Sequence, residues 1–218
     1  MPSSEPSDLN RSQQDAIFDP GNARPVTLIG AGSVGSMAAG WLADIGVSDL
    51  AVWDADDVAS HNVPMSRYEP EQIARKKVSA LAELIARKSG LTIAQVPRMY
   101  AGEPLRGSIV ACVDRMSARQ LIWKQVRKNP NVDILVDTRI AAKYVEVWAI
   151  RPCDPDDIAE YEKNLPNDRD ALTPQCGIHG IIYSTAVAAS AVCDDLTEWW
   201  TTGTVRRRFA MLGLKQIH

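Results

Sequence analysis

The feature that most constrains this chain is a glycine-rich turn between an apolar run and a helical pattern. Val26–Ile29 leads into the segment Gly30-Ala31-Gly32-Ser33-Val34-Gly35, and Ser36–Ile45 follows with apolar residues at helical spacing. In such a turn the first glycine permits the tight bend, the second lets backbone approach a phosphate, and the third lets the helix close on the strand. The start of a helix also offers unpaired N–H groups to an anion. The sequence therefore predicts a nucleotide site built on the three glycines, Gly30, Gly32 and Gly35.

A cluster of acids follows the next apolar run. Leu50–Trp53 reads as a second strand, and Asp54 comes directly after it, 19 positions past Gly35. A carboxylate at that point can accept hydrogen bonds from ribose hydroxyls. Two more acids, Asp56 and Asp57, come within the next three positions. A glycine turn with no ligand, or a dinucleotide dehydrogenase, would use the same glycines and the same acid, so both alternatives stay open at this point.

The rest of the chain alternates strand and helix patterns. This alternation predicts an α/β fold with a doubly wound, mostly parallel, Rossmann-like sheet. A long stretch rich in Pro, Asp and Asn interrupts the alternation after Ile150. The elements we expect are helices at Arg11–Ile17, Ser36–Ile45, Pro70–Ser89, Ser117–Lys128, Ile158–Lys163 and Gly180–Trp200, and strands at Val26–Ile29, Leu50–Trp53, Leu91–Val96, Ser108–Val113, Ile134–Val136, Tyr144–Ile150 and Val205–Leu214.

Composition argues against several classes of partner. The net charge is −3, with both signs interspersed and no basic stripe, so nucleic acid is not expected as a partner. No run of residues has the apolar length that spans a bilayer, and residues 1–10 lack the pattern of a signal peptide, so no membrane partner is expected either. The cysteines are scattered and form no CxxC pair, which favours a reducing, cytoplasmic location without a zinc clasp. They are Cys112, Cys153, Cys176 and Cys193.

An ordered set of motifs downstream of the glycine turn separates the alternatives. It consists of Asp54-x-Asp56, His61-Asn62, Ala74-Arg75-Lys76-Lys77, and the segment from Ala111 through Asp114 to Arg119. Together these motifs resemble the ubiquitin-activating enzyme superfamily, in particular its bacterial ThiF/MoeB-like adenylyltransferases that serve thiamin and molybdopterin biosynthesis. The resemblance runs from about Arg11 to Trp200. A dehydrogenase would leave Asn62, Lys77 and Asp114 unexplained.

The resemblance implies an enzyme that uses ATP and Mg²⁺ to activate the carboxy-terminal carboxylate of a ubiquitin-like or sulfur-carrier protein. That carboxylate attacks the α-phosphate of ATP, pyrophosphate leaves, and an acyl adenylate forms. The chemistry depends mostly on positioning and charge neutralisation. The roles that the resemblance implies are contacts to ATP by Gly30, Gly32 and Gly35, to the ribose by Asp54 with Asp56 in the same motif, to the phosphates by Asn62, Arg67 and Lys77, and to Mg²⁺ by Asp114.

Two further residues are implied by the resemblance. Arg11 matches an arginine that reaches into the ATP site of the neighbouring subunit, which implies a homodimer; a solvated arginine is the alternative. Cys176 lies where some relatives hold a cysteine that links covalently to the activated partner; the alternative is an inert loop thiol, and Cys153 is a weaker candidate. We expect residues 1–24 to carry the arginine-finger helix and 25–218 to form one ATP-binding adenylation domain, with a crossover loop at about 152–179.

Three positions depart from the family pattern. Met65 stands where relatives carry an arginine, although Arg67 could substitute for it. Arg115 replaces an asparagine beside the expected metal ligand, and Ala74 replaces a glycine before the lysine. The departures weaken the prediction of catalysis and leave the fold unaffected. A non-catalytic scaffold partner therefore remains an alternative, as do adenylation of a small carboxylate, a peptide or a modified nucleoside, and a NAD-dependent oxidoreductase.

Overall fold

One mixed sheet forms the centre of the molecule. The computed structural model describes residues 9–165, 181–213 and 215–216, and the strands found there join in one sheet. The strands are β1 (Val26–Ile29), β2 (Leu50–Trp53), β3 (Ala94–Val96), β4 (Gly107–Ala111), β5 (Val132–Ala141), β6 (Tyr144–Ile150), β7 (Arg208–Leu212) and β8 (Lys215–Gln216). The helices are α1 (Ser33–Asp44), α2 (Lys77–Ser89), α3 (Met116–Val126), α4 (Pro155–Lys163) and α5 (Ile182–Thr202).

The strand order is β3-β2-β1-β4-β5-β6-β7-β8. The first five strands in that order run parallel, and β6, β7 and β8 each pair antiparallel with the strand before. Helices cover both faces: α1, α2 and α5 pack into one apolar core, and α3 and α4 pack into the other. Successive residues of a strand that is covered on both faces therefore enter opposite cores, as Val147 and Trp148 of β6 do. The predicted doubly wound, mostly parallel α/β sheet is confirmed.

The helix predicted at Pro70–Ser89 is shorter than expected. Pro70–Gln72 forms a single 3₁₀ turn, and α2 begins only at Lys77. Between them Ala74 has φ +69°, in the left-handed region that favours glycine and that a helix interior excludes. An isolated bridge between Asp57 and Lys76 also holds this stretch in extended form. The predicted helical pattern therefore applies only from Lys77 onward, because residues 70–76 form a turn and an extended stretch in which only Gln72 is buried.

The helix predicted at Arg11–Ile17 is also absent, and turns take its place. Residues 12–17 form turns, with the N–H groups of Gln14 and Ile17 donating to the carbonyls of Arg11 and Gln14. In the predicted excursion after Ile150, α4 is longer than the single turn expected and starts at an Asp154 side chain that accepts from two backbone N–H groups. Residues 166–180 lie outside the described part of the chain. None of the described helices combines the length and the apolar character that crossing a membrane requires.

Candidate functional site

The carboxyl ends of three adjacent strands define the candidate site. In the sheet, Ile29 of β1 lies beside Trp53 of β2 on one side and beside Ala111 of β4 on the other. The chain leaves these strands at one edge, so Asp54 and the loop carrying Asp114 flank the glycine turn. Neighbouring strands are roughly 4.8 Å apart, which places the two flanking loops about 10 Å apart. The order of connections reverses at β1, and ligands of doubly wound sheets bind at such a point.

The three glycines of the turn are required for different reasons. Gly30 has φ +99°, and a Cβ there would lie 2.3 Å from the carbonyl oxygen of Cys112. A Cβ at Gly35 would lie 1.9 Å from the carbonyl oxygen of Gly30, because helix α1 closes tightly on the turn. At Gly32, in contrast, a Cβ would meet no atom within 4 Å. The fold therefore requires glycine at Gly30 and Gly35 but not at Gly32.

Gly32 is also the residue at which α1 starts. It caps the helix without any side-chain hydrogen bond to the first turn. The first N–H groups of an α-helix have no partner within the helix, so those of α1 are available to an anion, and the helix dipole favours negative charge there. Gly32 thus combines open space with unpaired donors.

Asp54 fastens the glycine turn to the end of β2. Its Oδ2 accepts from the N–H of Ala31 at 2.7 Å, and its Oδ1 accepts from the N–H of Asp56 at 2.8 Å. Burial raises the pKa of Asp54, and the hydrogen bond from Asp56 and the charge of Lys77 oppose that shift. An ionised carboxylate has about four lone-pair sites, so two remain for the hydroxyls of a sugar.

Lys77 belongs to the same cluster. Its Nζ donates to Oδ2 of Asp56 at 2.8 Å and lies 3.9 Å from Oδ1 of Asp54. The side chain is only 9% exposed, whereas that of Asp56 is 66% exposed. The backbone holds the pair as well, since the N–H of Lys77 donates to the carbonyl of Asp56 at 3.0 Å. Lys77 is therefore not the solvent-facing helix residue that its basic neighbours suggest; it lies at the site edge between two acids.

Asp114 lies on the opposite side of the glycine turn. It is exposed, three residues past the end of β4, and Arg115 next to it is the exposed N-cap of α3. No group of three metal-binding side chains occurs within the described residues. Mg²⁺ in nucleotide sites is commonly held by one or two carboxylates together with phosphate oxygens and water. One exposed carboxylate beside the glycine turn fits that pattern and would not fit an all-protein metal cage.

Asn62 and Arg67 lie on the segment that follows Asp54. Oδ1 of Asn62 accepts from the N–H of Ala59 at 2.8 Å and so stabilises its own 3₁₀ turn. The guanidinium of Arg67 packs on Gly40, where a Cβ would lie 2.6 Å from its Nη1, and pairs with Asp44 at 3.6 Å. Gly40 is two turns, roughly 12 Å, along α1 from the glycine turn. The structure therefore places the Arg67 guanidinium away from the glycine turn, and its contact with phosphate in place of the arginine missing at Met65 stays a prediction.

Arg11 lies at the far end of α1. Its Nε donates to the carbonyl oxygen of Asp44 at 2.9 Å, at the carboxyl end of the helix. A helix of 12 residues is about 18 Å long, so Arg11 does not reach the glycine turn of its own chain. It is half-buried and hydrogen-bonded, unlike the solvated arginine of the alternative interpretation. Its role in a neighbouring subunit stays a prediction.

The described cysteines do not join the site. Cys112 and Cys193 are partly buried against the core, and burial raises the pKa of each thiol to about 12, as expected for packing residues. Cys153 is exposed, and it follows β6 at the amino-terminal edge of the parallel strands, opposite the glycine turn. Cys176 lies outside the described residues, so its role stays a prediction.

Two residues outside the predicted site support its loops. The Tyr68 hydroxyl donates to the carbonyl of Ala31 in the glycine turn at 2.6 Å. Arg119, paired with buried Asp137 at 2.6 Å, donates through Nη2 to the carbonyl of Val113 at 2.7 Å and so fastens the loop that carries Asp114. Arg119 lies within a predicted motif, although no role was assigned to it. For Tyr68 the sequence gives no signal except an aromatic residue in a polar loop.

Solved structures with the same fold include MccB from E. coli in two complexes. The complex with AMPCPP and selenomethionine MccA has a TM-score of 0.74 at 11% identity, covering 99% of this chain and 72% of that one. The complex with ATP has a TM-score of 0.73 at 11% identity, covering 91% of this chain and 64% of that one. PaaA has a TM-score of 0.68 at 15% identity, covering 88% of this chain and 62% of that one. At these identities the likeness concerns the fold.

This chain is shorter than the proteins of similar fold. It spans 63% of MccB as solved with succinimide. A comparison with curated protein sequences gave no match. The model of the ThiF family matches residues 21–208, which include every described element from β1 to α5. The chain belongs to the ThiF family, as its ordered motifs predicted.

Proposed function

We propose that this protein adenylates a carboxylate. In the reaction an oxygen of the substrate carboxylate attacks the α-phosphorus of ATP, the bond from that phosphorus to the bridging oxygen breaks, and pyrophosphate leaves with the electron pair. The observation that carries the proposal is the open backbone at Gly32, at an uncapped helix start, with Asp54 and Lys77 on one side and Asp114 on the other. Family membership and the MccB complexes with ATP and AMPCPP support it.

In this proposal each residue of the site contacts a different part of the nucleotide. The N–H groups at the start of α1 hold phosphate oxygens, and Asp54 accepts from the ribose hydroxyls. Lys77 is 2.8 Å from an exposed Asp56 and can turn to a phosphate with little rearrangement. Asn62 supplies a further donor through its Nδ2, since the atom that accepts from the N–H of Ala59 is its Oδ1. Asp114 would hold Mg²⁺, which neutralises phosphate charge and orients the leaving pyrophosphate.

The substrate we propose is the carboxy-terminal carboxylate of a ubiquitin-like or sulfur-carrier protein. The motif resemblance supports this choice. One structure of MccB, a protein of the same fold, contains both AMPCPP and MccA. A cytoplasmic location fits the scattered cysteines, since a reducing compartment keeps thiols free.

Isotope exchange between ATP and pyrophosphate tests the proposal. Wild-type protein with Mg²⁺ should exchange label only when a carrier protein ending in Gly-Gly is present, and Asp114→Asn should lose the Mg²⁺-dependent exchange. Exchange without any carrier would point to a small carboxylate. Binding of NADH in place of Mg·ATP would support an oxidoreductase and overturn the proposal.

A non-catalytic partner is the second candidate, and one observation favours it. Met65 stands at the family's arginine position, and Arg67 is held against α1 by Asp44. A scaffold would bind no Mg·ATP at millimolar nucleotide in calorimetry, or would bind it without exchanging pyrophosphate with any carrier. An active enzyme would bind Mg·ATP and would also exchange pyrophosphate when its carrier is present.

We also propose a homodimer in which Arg11 acts on the partner's nucleotide. Mixing two inactive variants, Arg11→Ala and Asp114→Asn, tests this directly. If the sites are shared, a mixed dimer contains one site with both changes and one intact site, so activity returns on mixing. A lack of recovery, with mixed dimers shown to form, would contradict shared sites.

In the same assay Cys176→Ser would retain adenylation and lose any covalent link to the carrier.

A further inference from the structure

We propose that Tyr68 is a positioning residue for the phosphate site, acting through the peptide group between Ala31 and Gly32. The inference rests on the proposed function, because it assigns a ligand contact to that peptide group. Tyr68 comes from the segment after the acid cluster, yet its hydroxyl donates to the carbonyl of Ala31 at 2.6 Å. It is therefore bonded to the turn in which phosphate binding is proposed.

The direction of one carbonyl fixes the direction of one N–H. The carbonyl of Ala31 and the N–H of Gly32 belong to the same peptide group, which is planar and trans, so the two point in opposite directions. The carbonyl points to Tyr68, which is 3% exposed. The N–H of Gly32 consequently points away from the buried tyrosine, and the backbone there is open, since a Cβ at Gly32 would meet no atom within 4 Å.

The hydrogen bond from Tyr68 is needed because Asp54 holds only the preceding peptide group of the turn, the one between Gly30 and Ala31. Asp54 accepts from the N–H of Ala31 at 2.7 Å, which fixes the peptide before Ala31 but not the one after it. Glycine adopts many backbone conformations, so the Ala31–Gly32 peptide can rotate unless its carbonyl has a partner. Without Tyr68 that buried carbonyl would have to find another donor. The two side chains thus fix successive peptides of the turn.

The tyrosine is itself held firmly. Its N–H donates to Oγ of Ser66 at 3.3 Å, and the N–H of Arg67 before it donates to Oγ of Ser36 in the first turn of α1 at 3.4 Å. Burial and the nearby charge of Asp54 raise the pKa of Tyr68, so the hydroxyl stays protonated and remains a donor. The tyrosine is packed in the same core as α1. These contacts tie the segment carrying Asn62 to the helix that starts the phosphate site.

The test is Tyr68→Phe, which removes one oxygen and keeps the ring in the core. We expect the Kd for Mg·ATP to rise about tenfold or more, since one charge-assisted hydrogen bond is misdirected. The Kd for adenosine, which has no phosphate, should not change. The matched control is Tyr100→Phe, because the Tyr100 hydroxyl also donates to a backbone carbonyl, that of Glu103, outside the glycine turn. This control should bind Mg·ATP as the wild type does.

The outcomes separate the inference from the proposed function. If the wild type binds Mg·ATP and Tyr68→Phe binds it equally well, or loses ATP and adenosine to the same extent, the inference is overturned and the function stands. If the wild type binds no Mg·ATP, both are overturned. A measurement without any variant is the amide resonance of Gly32 in the wild type titrated with pyrophosphate: a shift larger than at Ala31 supports the inference, and an unmoved Gly32 amide overturns it.

Discussion

Substituting the glycines of the turn one at a time should separate the requirements of the fold from those of the ligand. We compare Gly32→Ala with Gly35→Ala, which add the same methyl group three positions apart. A Cβ at Gly35 would lie 1.9 Å from the carbonyl oxygen of Gly30 and 3.1 Å from Cδ2 of Leu28. Such overlap forces apart α1 and β1, and we expect a loss of about 3 kcal/mol or more in the free energy of unfolding.

At Gly32 the same methyl group meets nothing in the protein. Its φ of −74° is accessible to any residue, and no atom lies within 4 Å of the added carbon. Alanine caps a helix slightly less well than glycine but restricts the unfolded chain more, so the two effects nearly cancel. We expect the stability of Gly32→Ala to lie within about 1 kcal/mol of wild type.

Although Gly32→Ala should barely change stability, it should clearly weaken the binding of Mg·ATP. The methyl group of Gly32→Ala would occupy part of the open space at the start of α1, where the proposed phosphate would approach the N–H groups. Losing one hydrogen bond to a charged group costs about 1.5–3 kcal/mol, which corresponds to roughly a 10-fold to 100-fold weaker Kd for Mg·ATP. Urea titration and calorimetry measure the two quantities. If Gly32→Ala binds Mg·ATP like wild type, the phosphate does not approach Gly32; if it unfolds, the space there is not open.

Three further predictions concern charge and thiols. Lys77→Gln should weaken Mg·ATP binding at least about tenfold in calorimetry by removing the cation at the site edge; unchanged affinity would limit Lys77 to neutralising nearby acids. Burial raises the pKa of Asp195 to about 6 from 3.8, so the proton that the folded state retains stabilises it below about pH 4, and this contribution is lost as the pH rises through about 6. Relative to wild type, Asp195→Asn should therefore gain up to about 3 kcal/mol of unfolding free energy between about pH 4 and pH 7 in denaturant titrations, and a constant difference would refute this. In the folded protein a maleimide should label exposed Cys153 faster than Cys112 or Cys193, which are partly buried and whose thiol pKa is raised to about 12; equal rates of labelling would contradict this.

The sequence was sufficient for those parts of the site that lie at strand ends. The glycine turn, Asp54 and Asp114 each come directly after an apolar run, and the chain leaves parallel strands at one edge of the sheet. Their proximity therefore followed from the order of strands and helices alone. Lys77 lies near Asp54 for a related reason, since the chain returns from β2 to the same edge and α2 starts there.

The parts that could not be predicted depend on contacts between distant positions. The position of Arg67 depends on Asp44 and on the absence of a side chain at Gly40, more than twenty residues earlier. The late start of α2 depends on the left-handed conformation of Ala74. The spacing of apolar residues reveals neither the contacts of Arg67 nor the conformation of Ala74. Alanine is a strong helix former, so its presence at position 74 does not indicate that a helix is interrupted there.

The acids of the segment between β2 and α2 explain how a site rich in carboxylates could accept a polyanion. Asp54 is directed into the glycine turn, Asp57 pairs with Lys76 at 2.9 Å, and Asp56 pairs with Lys77 at 2.8 Å. Only Asp56 is largely exposed while holding a buried cation. A phosphate that replaces Asp56 leaves the buried Lys77 cation paired, and water solvates the released carboxylate, so the exchange leaves no buried charge without a partner. The hydrogen bond that the N–H of Ala31 donates to Asp54 need not break when a phosphate replaces Asp56, so the turn can keep its shape as the ligand binds.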